Sequence, residues 1–162
     1  MYKKLIVLAL LATVSCKAQT EDQKSDEPEV FAVVKTDAQW QEQLSELQYY
    51  VLRKEGTERP FTSPLNDNKA SGTYICAACQ TPLFESDSKF DSGTGWPSFD
   101  KEIKGNVAFS VDYNIGYART EEHCATCGGH LGHVFNDGPS ETTGKRHCIN
   151  GAALQFIPKK SN

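Results

Sequence analysis

The sequence predicts a mainly β domain of antiparallel strands with a small helical element at its N-terminal end. Three observations favour this class. Two early segments have the helical spacing of apolar residues, later segments alternate with a period of two, and clusters of Gly and Pro separate them. The chain has 162 residues, of which 38% are hydrophobic, and this is typical of one globular domain.

The helical element is predicted to contain two short helices. Thr36 and Asp37 have the character of a helix start, because such side chains accept hydrogen bonds from the first free N–H groups. A second helix is predicted from Ser45, and Gly56 is expected to end it. The residues spaced for one apolar face are Trp40 and Leu44 in the first helix, and Leu47, Tyr50 and Val51 in the second.

Two strand segments are predicted farther along the chain. Residues 107–115 alternate between apolar and small or polar side chains, as in a half-buried strand, with Val107, Phe109, Val111, Tyr113 and Ile115 on the apolar face. Residues 148–156 predict another strand, because four apolar residues share one parity, although Asn150 between them is polar. Turns are predicted at Ser92–Pro97, Gly128–Gly132 and Asp137–Pro139.

The first 29 residues are predicted to lie outside this domain. Two lysines precede an apolar stretch at residues 5–14, which is the layout of an export signal. Ser15 followed by Cys16 resembles the lipobox of bacterial lipoproteins, so residues 1–16 are interpreted as a lipoprotein-type signal and Cys16 as the acylated residue. Thr13 departs from the lipobox pattern, which leaves plain cleavage or an uncleaved anchor as alternatives.

Residues 17–29 are polar and acidic, which predicts a flexible spacer before a domain at residues 30–158. We expect the protein to be exported and held at a membrane by a lipid on Cys16, facing the periplasm or on the outer membrane. No apolar run reaches the roughly 18 residues of a membrane-spanning helix. The net charge of −4 argues against a general binder of nucleic acid.

Two C-x-x-C pairs predict a closed tetrahedral zinc site. The pairs are Cys76 with Cys79 and Cys124 with Cys127, and a two-residue spacer lets both sulfurs of a pair face one ion. Disulfides are the alternative in an exported protein. A disulfide within a C-x-x-C pair would be strained, however, and pairing between the two motifs would not explain the duplicated spacing.

One cysteine of the predicted domain is left over. Cys148 follows Arg146 and His147, two groups that can stabilise a thiolate and lower its pKa. From the residues alone, an inert buried cysteine on a strand is an equal alternative.

Four segments together resemble the type B methionine sulfoxide reductase family. They are Gly93–Phe99, the two C-x-x-C pairs, Gly129–Phe135 leading to Asp137–Pro139, and Arg146–Asn150. The resemblance extends over nearly all of the predicted domain. It implies a β-rich, tent-like fold of two antiparallel sheets, a zinc ion on the four paired cysteines, and reduction of the R epimer of methionine sulfoxide in proteins or as the free amino acid.

The resemblance also implies roles for individual residues. Cys148 matches the nucleophile of the family, and the substrate pocket is expected to contain Trp96, His130, His133, Phe135, Arg146 and Asn150. His133 is the first choice for the proton donor to the sulfoxide oxygen, with His130 and Asn150 orienting that oxygen. The indole of Trp96, aided by Phe135, is expected to contact the substrate methyl group.

Alternatives remain for several of these residues. Trp96, between Gly and Pro, also suits a core position at a turn, and the two histidines also suit zinc. Asp137–Pro139 is expected to be a turn without direct chemistry, and His123 a residue of the surface or beside the metal ligands.

Thr94 occupies the position of the resolving cysteine that many family members carry. We therefore expect an external thiol, such as a thioredoxin-like protein, to reduce the oxidised nucleophile. The function expected is repair of oxidised methionine under oxidative stress, and the rival is a noncatalytic zinc-ribbon interaction module on a membrane tether.

Overall fold

A computed structural model describes residues 30–160 of the chain. Within this range, two short helices precede nine strands in two antiparallel sheets, which confirms the predicted mainly β fold. The predicted signal at 1–16 and the spacer at 17–29 lie outside the described residues and stay predictions, as does the domain boundary. None of the helices in the described range has the length and hydrophobicity needed to cross a membrane.

The smaller sheet has three strands in the order β2-β1-β9, and the larger has six in the order β3-β4-β8-β7-β6-β5. The elements are α1 (Asp37–Gln43), α2 (Glu46–Lys54), β1 (Gly72–Cys76), β2 (Pro82–Glu85), β3 (Lys89–Phe90), β4 (Ser98–Phe99), β5 (Val107–Asp112), β6 (Arg119–Cys124), β7 (His130–Phe135), β8 (Arg146–Ile149) and β9 (Leu154–Pro158). Short 3₁₀ turns lie at Ser86–Ser88 and Gly151–Ala153.

Both helices begin where the sequence predicts. Thr36 and Ser45 each cap a helix by accepting a hydrogen bond from the backbone N–H three residues later. The predicted end of α2 needs correction, because the left-handed residue is Glu55, with φ 54°, and not Gly56. The predicted apolar face of α2 is also wrong in part. Leu47 and Tyr50 are about half exposed, at 48% and 50%, and the helix buries Val51 together with Leu52.

Strand β5 differs from the predicted alternation. It ends at Asp112, so Tyr113 and Ile115 lie in the following turn, and Phe109 and Val111 are exposed. The opposite face of β5 carries Ser110 and Asp112, which bond to polar side chains of β6 and β7. The buried face of this edge strand is therefore polar in its second half, and apolar alternation alone misidentified it.

The predicted strand at residues 148–156 is two strands in different sheets. The 3₁₀ turn at Gly151–Ala153 separates β8 from β9. The buried carboxylate of Glu58 holds this turn by accepting hydrogen bonds from Gly151 N at 2.5 Å and Ala152 N at 2.9 Å. A Cβ at position 151 would lie 1.9 Å from Oγ of Ser63, so the turn needs glycine there.

An aromatic cluster fills the space between the two sheets. The rings of Phe84 and Phe99 stack with centroids 4.4 Å apart, and Tyr74 meets Phe99 edge-on at 4.9 Å. All three side chains are fully buried. Since Phe84 and Tyr74 come from the small sheet and Phe99 from the large one, this cluster fixes how the sheets face each other.

A β-bulge in β7 decides where its two histidines lie. Glu122 pairs with Gly132 and His123 pairs with His130, so Leu131 is the extra residue. Residues three apart on a regular strand point to opposite faces, whereas the bulge brings the rings of His130 and His133 to 5.5 Å of each other. The predicted turn at Gly128–Gly132 therefore ends at Gly129, and Gly132 is a strand residue.

Candidate active site and metal site

The four paired cysteines converge at the point where the two sheets meet. Their sulfur atoms all lie within 4.8 Å of one another. Cys76 Sγ is 3.8 Å from Cys127 Sγ, and Cys79 Sγ is 3.5 Å from Cys124 Sγ. Because Cys76 ends β1 and Cys124 ends β6, a metal ion held there joins the small sheet to the large one.

The two C-x-x-C turns have the same backbone geometry. The N–H group four residues after each first cysteine returns to its carbonyl at 2.8 Å, from Gln80 to Cys76 and from Gly128 to Cys124. Gln80 and Gly128 both adopt left-handed backbone angles, with φ 64° and 66°. This repetition aims two sulfurs from each turn at one point.

The geometry fits a tetrahedral metal centre. Four thiolates bonded to zinc at about 2.3 Å lie roughly 3.8 Å apart, close to the sulfur separations here. Hydrogen bonding with Cys124 raises the pKa of the Cys76 thiol, so ionising all four thiols calls for a cation among them. All five cysteines between residues 30 and 160 are free, and the disulfide alternative is not realised in this part of the chain.

A separate cavity of about 150 Å³ contains the fifth cysteine. It brings together five residues that the sequence singled out: Cys148, Trp96, His133, Phe135 and Asn150. The cavity also has Thr57, Arg119 and Gly132 in its lining. His130 and Arg146 are not part of this lining.

Cys148 lies in the middle of the large sheet, on β8, between Ser98 of β4 and His133 of β7. A Cβ at Gly132 would lie 2.0 Å from the Cys148 carbonyl oxygen, so glycine is what lets β7 approach β8 so closely. Burial raises the pKa of the Cys148 thiol, and the positive charge of Arg146 and a hydrogen bond from Thr94 oppose this rise.

The expectation that both neighbours of Cys148 lower its pKa is only half right. His147 points to the opposite face of the sheet, as adjacent strand residues do, and its Nδ1 lies 2.5 Å from Oε1 of the fully buried Glu122. Arg146 does act on Cys148, yet the effect of burial is larger. The thiol is therefore not strongly ionised before a substrate enters.

Arg146 is fixed beside the cavity by two contacts. It donates hydrogen bonds from Nε and from a terminal nitrogen to the two carboxylate oxygens of Asp137, at 2.8 and 2.9 Å. Its guanidinium lies 4.4 Å from the centre of the Phe135 ring. Asp137 is thus more than part of a turn, because it orients the cation that favours the Cys148 thiolate.

His133 is held by a carboxylate that the sequence did not single out. Its Nε2 lies 2.8 Å from Oδ2 of Asp112, and Asp112 also bonds to Arg119. Burial lowers the pKa of His133, and the hydrogen bond to Asp112 opposes this shift. His130 is held in a similar way, with Nδ1 2.7 Å from Oε1 of Glu121.

Asn150 and Trp96 are both anchored to the rest of the fold. The Asn150 amide accepts from Glu58 N at 2.9 Å and donates to Leu131 O at 2.9 Å. The indole Nε1 of Trp96 donates to Glu58 O at 3.2 Å. These bonds fix both side chains against one loop, so their roles toward substrate stay predictions while their positions are set by the fold.

Sequence reasoning missed Asp112, Arg119 and Thr57 as parts of the site. Asp112 stands in a segment predicted to be part of an apolar strand, and Arg119 begins a strand that no periodicity revealed. No local pattern marks either residue, because only the antiparallel pairing of β5 with β6 places Asp112 opposite Arg119.

Comparison with known proteins shows a consistent relationship. The family model described as the SelR domain matches residues 44–158. A peptide methionine sulfoxide reductase MsrB of Agrobacterium fabrum is 55% identical over 127 residues, covering 78% of this chain and 93% of the relative. The protein of the same name from Leptospira interrogans is 52% identical over 127 residues, covering 78% and 96%. Peptide methionine sulfoxide reductase B1, chloroplastic, of Oryza sativa is 52% identical over 122 residues, covering 75% and 56%.

Proposed function

The chain belongs to the SelR domain family of peptide methionine sulfoxide reductases and is an oxidoreductase, and from this premise we propose that it reduces the R epimer of methionine sulfoxide to methionine with Cys148 as the nucleophile. The substrate is a methionine sulfoxide side chain in a protein or the free amino acid. One observation carries the proposal: Cys148 shares a cavity of side-chain size with an indole and an imidazole.

The cavity has the groups that sulfoxide reduction needs. A sulfoxide sulfur is attacked readily only when its oxygen receives a proton or a strong hydrogen bond, so nucleophile and donor must face the same substrate. Cys148 and His133 lie on adjacent strands at directly paired positions, which meets this requirement. Trp96 and Phe135 give the apolar surface for the methyl group.

The first chemical step balances within the enzyme and its substrate. The Cys148 sulfur attacks the sulfoxide, a bond forms between that sulfur and the oxygen as the S–O bond of the substrate breaks, and the proton of the thiol joins the oxygen. The oxygen ends as the hydroxyl of a Cys148 sulfenic acid, and methionine leaves. Two electrons pass from the Cys148 sulfur to the substrate sulfur, so no other redox partner enters this step.

Regeneration of Cys148 needs an external thiol. Thr94 hydrogen-bonds to the Cys148 sulfur at the place where many family members have a resolving cysteine. The four remaining cysteines of the described range face one another at the metal site. A first thiol of a reductant such as a thioredoxin-like protein expels water to form a mixed disulfide, and a second thiol releases Cys148.

We assign the four-cysteine site to structural zinc, held by Cys76, Cys79, Cys124 and Cys127. It lies apart from the cavity, and none of its ligands lines the cavity. The ion contributes folding free energy by linking the sheets and takes no part in the reaction.

Export to a membrane surface is the remaining part of the proposal, with a lipid on Cys16 and residues 17–29 as the spacer. Expression in a bacterium that processes lipoproteins, followed by mass spectrometry of the N-terminal peptide, tests it. We expect a diacylglycerol adduct on Cys16 in the membrane fraction. A soluble product that retains Met1 would refute the anchor.

The activity is tested with racemic dabsyl-methionine sulfoxide and dithiothreitol. We expect half of the racemate to be consumed, leaving only the S epimer. Cys148→Ser is expected to abolish reduction while its circular dichroism and zinc content stay as in the wild type. No reduction by the wild type would favour the rival, a noncatalytic interaction module, and full activity of Cys148→Ser would refute Cys148 as the nucleophile.

The one-cysteine cycle has its own test. After a single turnover without reductant, a dione probe is expected to label Cys148, as found by mass spectrometry of the digest. Thr94→Cys is the matched comparison, because it introduces a thiol beside Cys148 and is expected to convert the label into an internal disulfide. An internal disulfide to Cys148 in the wild type would contradict the cycle.

A further inference from the structure

We propose that Asp112 is a positioning residue that fixes the imidazole of His133, committing Nε2 as an N–H donor and leaving Nδ1 as the nitrogen that serves the cavity. The inference rests on the proposed function, since it assigns His133 to proton transfer there. Asp112 lies outside the cavity lining, and it bonds to two residues that line the cavity, His133 and Arg119.

The Asp112 carboxylate is held from several directions. The backbone N–H of Asn114 donates to Oδ1 at 2.6 Å, while Arg119 and Nε2 of His133 share Oδ2, the latter at 2.8 Å. The side chain is only 7% exposed. Because Asn114 N and Arg119 already hold this carboxylate, it has little freedom to rotate and fixes the position of the His133 ring that bonds to it.

The Asn114 hydrogen bond, helped by His133 and Arg119, lowers the pKa of Asp112 to about 2. The group is therefore an ionised acceptor at neutral pH. An ionised carboxylate accepts hydrogen bonds and donates none, so Nε2 of His133 must carry a hydrogen. The neutral ring then has its lone pair on Nδ1.

The charges around His133 favour a neutral ring at the start of the reaction. Burial and the positive charge of Arg119 lower its pKa, and the His130 ring, 5.5 Å away and bonded to Glu121, adds a further unfavourable contribution. Asp112 acts in the opposite direction. Cys148 also begins neutral, since burial raises its pKa.

A neutral thiol and a neutral imidazole together account for the proton in the reaction. The proton leaves the Cys148 sulfur and joins Nδ1 of His133, forming an imidazolium that ionised Asp112 stabilises. It then passes from Nδ1 to the sulfoxide oxygen as the S–O bond breaks. The hydroxyl hydrogen of the sulfenic acid is thus the former thiol hydrogen, and no external acid is consumed.

Asp112→Asn tests this role, because it keeps the shape of the side chain and removes its charge. The asparagine NH₂ can donate to Nε2 and so favour the tautomer with hydrogen on Nδ1. We expect kcat to fall by about 100-fold or more, the scale of lost acid–base catalysis, with KM nearly unchanged. Asp87→Asn is the matched control, since Asp87 is a carboxylate of the Ser86–Ser88 turn and has no contact with the cavity.

Long-range ¹H–¹⁵N correlation spectra of the imidazoles provide a readout that does not depend on activity, with His133→Gln assigning the signals. In the wild type we expect the tautomer with hydrogen on Nε2, and in Asp112→Asn its loss or a mixture. A wild-type ring with hydrogen on Nδ1 overturns the proposal even if the variant does not fold. Unchanged tautomer and unchanged kcat in a folded variant overturn it too.

The same data separate this inference from the proposed function. If the wild type lacks reductase activity but its His133 ring has the Nε2–H tautomer, and this depends on Asp112, the proposed function is refuted. The positioning of the His133 ring by Asp112 would then still hold. Activity that survives Asp112→Asn with its pH profile unaltered would refute the positioning role and leave the function intact.

Discussion

At the scale of single residues, Cys148 is set between opposing influences on its ionisation. Burial favours the neutral thiol, and Arg146 and Thr94 favour the thiolate. Arg146 can do this only because Asp137 and the Phe135 ring hold its guanidinium in place. The ionisation of the Cys148 thiol therefore depends on Arg146 and on the residues that hold Arg146 in place.

Arg146→Gln is expected to raise the pKa of Cys148, because the variant loses a positive charge that favours the thiolate. The rate of alkylation by iodoacetamide at pH 8 should fall, and its pH profile should move to higher pH. Lys145→Gln is the neighbouring control and should behave as the wild type, since the Lys145 amine bonds to Asn136 instead. Equal alkylation rates in the wild type and Arg146→Gln would contradict the assigned role.

The buried pair of Glu122 and His147 lies on the other face of the sheet and affects stability. Burial raises the pKa of Glu122 above its usual range. A carboxyl whose pKa is raised on folding contributes stability below its unfolded pKa, and this contribution is lost as pH rises through its folded pKa. Glu122→Gln should remove that loss while keeping an oxygen for His147 Nδ1–H.

We therefore expect Glu122→Gln to be more stable, relative to the wild type, at pH 8 than at pH 5. The free energy of unfolding of the variant minus that of the wild type should be larger at the higher pH. Urea unfolding at both pH values measures it, and the metal ligands, common to both proteins, cancel in the difference. Glu141→Gln, an exposed substitution, is the control. If the difference in the free energy of unfolding between variant and wild type does not change with pH, the assigned effect of Glu122 is wrong.

At the scale of elements, the sequence correctly predicted the features that depend on residues close together in the chain. Thr36 and Ser45 cap helices through neighbours three residues away, so their pattern was readable. The burial of Leu52 in place of Leu47 depends on packing against distant strands, and the bulge at Leu131 depends on the partner strand β6. For the same reason the histidines and Cys148 were found from their motifs, while Asp112 and Arg119 were not.

Gly132 joins two elements of the site, and its replacement tests how closely β7 and β8 must approach. Gly132→Ala places a Cβ 2.0 Å from the Cys148 carbonyl oxygen, a backbone atom that cannot rotate away. We expect a loss of about 3 kcal/mol in the free energy of unfolding, at the upper end for overpacking, together with a loss of activity.

Gly105→Ala is the matched control for that variant. Its Cβ meets no atom within 4 Å, but its φ of 86° makes alanine unfavourable by roughly 1–2 kcal/mol. Urea unfolding and the dabsyl assay applied to both variants separate the effects. Equal stability losses, with activity retained in Gly132→Ala, would show that the strands separate without harm.

At the scale of the whole molecule, two of the connections between the sheets lie close to the site. The chain passes from β8 of the large sheet to β9 of the small one through the turn that Glu58 binds, on the side of the cavity. The cysteine cluster joins β1 to β6, and Ala77 of its first C-x-x-C motif donates a hydrogen bond to Ala153 O of that turn at 2.9 Å. Strand β6 begins at Arg119, which bonds to Asp112, and ends at Cys124, one of the four clustered cysteines. A metal ion on Cys124 would therefore also limit the movement of the strand that positions Arg119.

Metal removal is therefore expected to loosen the link between the sheets before it affects the chemistry at Cys148. Purified protein should contain one zinc ion per chain by elemental analysis, and Cys76→Ser should lose the ion and melt at a lower temperature. Cys148→Ser is the matched control, because it removes a cysteine outside the cluster and should keep both zinc and melting temperature. The reductase activity of Cys76→Ser should fall in proportion to its unfolded fraction. Calorimetry measures the unfolded fraction, and the dabsyl assay measures the activity at the same temperatures. A wild type that is stable without zinc would mean that packing alone holds the sheets together. Loss of activity in a folded Cys76→Ser would mean that losing the ion alters the cavity through a shift of β6.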